Sequence, residues 1–150
     1  MRRFPLCLAS TMTVLMMCAM ASTAAAEEPN NARFNVTVIH ATQGEPEVDP
    51  ELQTLAETLK GSFKDYQRFK KLLSRSKKSA KGKATKVKLP DGNNALFTFD
   101  GMDKGFIKVK FELDGFKTQL RVRDGGLFFQ AGRVFKAGIL VLAVEAHAVP

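Results

Sequence analysis

The chain has 150 residues, a formal net charge of +8, 12 Phe, 1 Tyr, no Trp and 2 Cys. That length fits one modest domain and excludes a multidomain enzyme. At 45% hydrophobic and 25% charged residues, the composition excludes both a disordered tail and a disulfide scaffold.

Arg2 and Arg3 precede an apolar run from about Leu6 to Ala21, and small residues continue to Ala24, Ala25 and Ala26 before Glu27. This is the layout of a bacterial secretory signal, with cleavage between Ala26 and Glu27 because small side chains at the −3 and −1 positions fit the peptidase. The alternatives are an uncleaved anchor, since the run approaches the ~20 residues that span a bilayer, and a lipid anchor on Cys18, for which Met17 is not the small residue expected. The organisation read from the sequence is therefore a signal peptide over 1–26, a mobile leader over 27–32 and a single α+β domain over 33–150. It places the mature protein in the periplasm or outside the cell, with no transmembrane segment after cleavage. Cys7 and Cys18 both lie within the signal, so the mature chain has no thiol nucleophile, thiolate zinc site, redox pair or disulfide. His40 and His147 stand on strand-like segments without the close His partner of a metal motif and read as structural residues. No cofactor and no metal are expected.

Along the mature chain, residues 34–41 alternate and are rich in β-branched side chains, which predicts a first strand. Asn35, Val36 and Thr37 match a glycosylation sequon, but within a strand of a bacterial-type chain the match reads as chance. A loop over 42–49 leads to a helix capped by Asp49, with Pro50 at its first position and Glu51 at the positive end of the dipole. Leu52, Leu55, Ala56 and Leu59 form its apolar stripe, and Gly61 supplies a left-handed stop. Residues 63–76 suit either a helix or a strand, and the strand is preferred because strand, helix, strand is a compact right-handed unit. Residues 77–83 read as a basic loop.

Beyond it, Asp-Gly pairs at Asp91, Asp100, Asp114 and Asp124 supply the positive φ that tight hairpins demand. Between them lie the alternating apolar faces Phe97 and Phe99, then Ile107, Val109, Phe111 and Leu113, then Phe116, Thr118, Leu120 and Val122. These predict an antiparallel meander with one wet face. The spacing of the aspartates forms no calcium loop. Residues 139–144 are apolar on both faces, as in a central strand covered on both sides. The expected fold is α+β: a strand, helix, strand start followed by a meander of short strands, with one short helix packed on the sheet.

Charge is unevenly distributed: residues 27–63 carry 2 basic and 7 acidic side chains, residues 64–88 carry 11 and 1, and residues 89–150 carry 8 and 7. In the middle segment Lys70, Lys71, Arg75, Lys77, Lys78, Lys81, Lys83, Lys86 and Lys88 are the candidate binding residues for a polyanion. The bland alternative is that these lysines only solubilise an exposed face and keep an edge strand from pairing with another molecule. Lysine outnumbers arginine nine to two across 64–88, which favours loose charge attraction over bidentate base recognition and argues against sequence-specific nucleic-acid binding. For catalysis the sequence offers scattered carboxylates and no nucleophile elbow, P-loop or dinucleotide fingerprint, so a non-enzymatic role is expected.

The segments YQRFKKLLSRS (66–76), VKLPDG (87–92) and VRDGGLFFQAGRVFKAGILVL (122–142) resemble a set of short, signal-bearing, functionally uncharacterised bacterial proteins. The resemblance implies no catalytic residue. The last of these segments is also similar to the end of the secretin domain of secretion-system channels, although the rest of that domain has no counterpart here. It implies a role in an envelope assembly. The expected partners are an anionic envelope polymer (lipid, lipopolysaccharide or wall polymer) or an envelope protein met through an apolar or sheet-edge interface.

Overall fold

The computed structural model describes residues 28–150; the signal segment and its cleavage point lie outside them. β1 (Asn31–Thr42) starts earlier than the alternation suggests and takes Asn31 and Ala32 from the expected leader. Ala32 is fully buried, which ties that end of the chain into the core. Phe34, Val36 and Val38 are buried on one face of β1, and Ile39 and Ala41 on the other, so the strand has cover on both sides.

After β1 the chain forms β2 (Glu47–Val48), a 3-10 turn over Pro50–Leu55 and the helix α1 (Ala56–Ser62). Asp49 caps the turn as expected, its carboxylate accepting from the Glu51 N–H at 3.2 Å. Leu52, Ala56 and Leu59 are buried. Gly61 is not the stop: the helix runs through it to Ser62 and ends at Phe63, whose φ is −123°. β3 (Arg68–Ala80) then runs antiparallel to β1, from Thr42↔Arg68 to Asn31↔Ala80. The strand preference holds for residues 68–76, whereas 63–67 cap the helix and turn, and two further details change. The helix returns the chain to the end of β1 that it left, so β3 runs back beside β1 and no right-handed parallel unit forms. The expected basic loop is strand as far as Ala80, because a solvent-facing edge strand accommodates lysines on alternate positions.

β4 (Ala84–Lys88), β5 (Asn94–Asp103), β6 (Phe106–Leu113) and β7 (Phe116–Arg123) make a four-stranded antiparallel meander in that order. β8 (Gly126–Phe135) and β9 (Gly138–Val149) return to the first sheet, whose order is β2-β3-β1-β9-β8 and which is mixed, because β2 joins β3 in parallel. The molecule is mostly strand, in two sheets, with more β structure than the α+β expectation and a meander confined to one of the sheets. β9 is the doubly covered central strand expected: Leu140, Leu142 and Val144 face the second sheet, and Val141 and Ala143 lie under the helix. Three of the Asp-Gly pairs mark turns. The fourth, Asp100 and Gly101, lies inside β5 at a register shift between Phe99 and Met102, and the β5–β6 turn falls at Lys104 and Gly105, both with positive φ. In β7 Phe116 is 51% exposed, a departure from the expected apolar face at the outer edge of the sheet.

The sheets pack face to face through Phe34 stacked on Phe97 at 5.5 Å and Phe97 against Phe111 at 5.1 Å between ring centroids. One end of the sandwich is clamped by Arg133 of β8. Its Nε donates to Asp91 at 2.6 Å and its Nη1 to Asp114 at 3.0 Å, both carboxylates standing on turns of the other sheet. Burial pushes the Asp91 carboxyl up, but hydrogen bonds from Arg133 and from Asn93 outweigh it and hold the pKa below the ordinary 3.8. The folded carboxyl is thus the more acidic one, so its stabilisation is fully present above the unfolded value and is lost as pH falls through the folded one. Arg133→Ala is expected to cost about 2 kcal/mol at neutral pH, and the gap from wild type in urea midpoint should shrink as pH falls below the ordinary 3.8. A gap independent of pH would assign the loss to packing of the arginine stem instead.

Candidate functional site

β3 and β4 are consecutive in sequence but belong to different sheets. At their shared turn the sheets are close: the buried Ser79 hydroxyl donates to the Lys83 carbonyl at 2.6 Å, and the Gly82 N–H donates to the Phe99 carbonyl at 2.8 Å. Away from the turn the two strands diverge, and the sandwich opens along this side into a cleft of about 960 Å³. Lys70, Arg75 and Lys77 line it from β3, Lys86 and Lys88 from β4, and Lys136 from the β8–β9 turn. Among the described residues no carboxylate lines it. Among the described residues none of these six cations takes part in a salt bridge. Like charges held this close, without internal counterions, make a focused positive field.

The floor is apolar. Leu72, Leu73 and Phe135 are half-buried there, above the buried Val87 and Leu89. His40 Nε2 lies 2.9 Å from the Phe135 carbonyl; a carbonyl only accepts, so this nitrogen carries the proton and donates. The ring meets Phe135 edge-on at 5.3 Å, and the Lys136 ammonium sits 5.3 Å from the centre of the Phe135 ring.

Five of the nine basic residues singled out in the sequence therefore converge on one site, and four do not. Lys71 faces the helix side of β3 and is ion-paired with Glu51. Lys78 stands opposite Arg33 in the register between β3 and β1, on that same side. The Lys81 stem lies over Gly101, where an added Cβ would be 3.1 Å from its Cε. Lys83 is exposed in the turn. The cleft also gains Lys136, Phe135 and His40, which are remote from the basic segment in sequence; only the pairing of β1 with both β3 and β9 brings them there.

His147 contacts Glu145 at 2.5 Å on the same strand, outside the cleft. Among the described residues no group of three or more His, Cys, Asp or Glu side chains is placed to hold a metal ion, and no helix is long and apolar enough to cross a membrane. The chain matches no family model, no curated protein and no solved structure.

Proposed function

We propose that the protein is an exported, non-catalytic binding or assembly component of the cell envelope, which engages anionic envelope polymers through the cationic cleft. The observation that carries this reading is the convergence, among the described residues, of six cations with no carboxylate on one open side of the sandwich. Five of the six are lysines, whose flexible point charges suit a ligand with several dispersed anionic groups better than one planar bidentate anion. The signal-like segment at 1–26 supports export. Cations, leucines and a histidine already bonded to a backbone carbonyl are equipment for holding an anion.

The test is co-sedimentation with isolated envelope fractions over a salt series. Lys70, Lys77, Lys86 and Lys88 changed together to Glu should lower binding at least tenfold, and wild-type binding should fall steeply with salt. Lys78, Lys81 and Lys83 changed to Glu are the control, since they come from the same basic segment but stand outside the cleft. Equal losses in both variants would reduce the site to diffuse surface charge.

A second reading has its own observation. β2 pairs only with Arg68 and Phe69, so among the described residues β3 carries no strand on its outer edge from Lys70 onward. A partner protein adding a strand there would bind through main-chain hydrogen bonds, the lysines then serving solubility alone. Binding indifferent to salt and to the cleft variant would favour it.

A further inference from the structure

The register between β1 and β3 shifts between Val38 and Ile39, whose partners are Leu73 and Lys71. Leu72 is left without a partner, which is a bulge. On a regular strand successive side chains face opposite sides, so one of Leu72 and Leu73 would lie under the helix. The bulge breaks that alternation, and both leucines line the cleft. Each stays half-buried beside Phe135, although the sandwich core next to them is closed. At one wall, Phe135 at the end of β8 and Lys136 of the β8–β9 turn bring an aromatic ring and an ammonium group together. The cleft thus combines a half-buried apolar floor with five ammonium groups and one guanidinium. A purely hydrophilic polyanion would use the cations and leave the floor wet.

From this we infer that the ligand of the cleft is an anionic amphiphile: an acyl chain laid on Leu72, Leu73 and Phe135, with its phosphate headgroup held by the surrounding lysines. The inference rests on the reading of the cleft as an anion site and narrows the ligand to a lipid phosphate. The volume of about 960 Å³ is at the upper end of ordinary ligand sites and is enough for a chain as well as a headgroup. Apolar contact and charge attraction then act on the two ends of one molecule, each supplying affinity that the other cannot.

Calorimetric titration with three probes tests it: dodecyl phosphate below its micelle concentration, ethyl phosphate, and dodecyl maltoside. Dodecyl phosphate should bind at least tenfold more tightly than either of the others, and the Leu72 and Leu73 methyl resonances should shift with it alone. Leu72→Ser should remove most of the difference between the two phosphates, with the fold checked by circular dichroism, while Lys70→Gln should weaken both phosphates together. Equal binding of the two phosphates would overturn the amphiphile and leave the anion site standing. Equal binding of the maltoside and dodecyl phosphate would overturn it through the headgroup. No binding of either phosphate, together with salt-indifferent co-sedimentation, would overturn the anion site and the amphiphile with it.

Discussion

Phe97→Ala should lower the unfolding free energy by about 3–5 kcal/mol, a large part of the roughly 5–15 kcal/mol that holds a domain together. Phe97 is fully buried at the middle of β5, stacked on Phe34 of the opposite sheet and tilted against Phe111 of its own. Truncation removes the ring through which the two sheets meet. Because Phe34 and Phe111 are anchored in separate sheets, neither can move into the space without pulling its strand, and most of the cavity stays open. Urea unfolding followed by far-ultraviolet circular dichroism measures the loss. Phe116→Ala is the internal comparison: that ring is 51% exposed on the outer strand β7, and its removal should change stability by no more than about 0.5 kcal/mol. Similar losses at the two positions would mean that the aromatic stack does not hold the sheets together.

The second large effect is at a glycine. A Cβ on Gly138 would lie 2.2 Å from the Ala41 carbonyl oxygen and 2.7 Å from Thr42 Cγ2. The first of these atoms is backbone of β1, the strand paired with β9 from Asn31↔Val149 to Ala41↔Ile139, so relief requires the two central strands of the sheet to part at that end. Gly138→Ala is expected to destabilise by about 3 kcal/mol, the upper end of ordinary overpacking. Gly61→Ala should have the opposite sign. Gly61 is helical, with open space where its Cβ would be, and alanine there restricts the unfolded chain and favours the helix by about 0.5–1 kcal/mol. Chemical denaturation of both variants beside wild type decides the matter; destabilisation of the same size at both positions would contradict the close approach of β1 and β9.

Strands were legible in the sequence wherever burial imposed a period. The alternation of β5 and β6 and the doubly apolar 139–144 stretch of β9 are direct records of which faces are covered. Distribution of strands between two sheets was not legible, because nothing local to Arg123 or Gly126 states that the chain changes sheet there. Asp100 and Gly101 show the limit of turn chemistry: the same dipeptide that closes a hairpin at Asp114 and Gly115 makes a bulge within β5. At the site, the basic segment was visible as composition, yet which of its lysines meet depended on strand alternation and on a single extra residue at Leu72. Lys136 carried no signal at all, since its place follows from a hairpin 59 residues beyond Lys77.

The β8–β9 turn is made by Lys136 and Ala137 at φ values of 38° and 62°, where two-residue hairpins ordinarily use Asn and Gly. Each residue stores on the order of 1 kcal/mol of backbone strain, and the sheet around it supplies the compensation. Opening the tip would release that energy without unpairing β1 from β9, and the tip belongs to the wall that carries Phe135 and Lys136. The sixth cation of the cleft thus stands where the backbone is strained, so its position costs stability that an Asn-Gly turn would have spared.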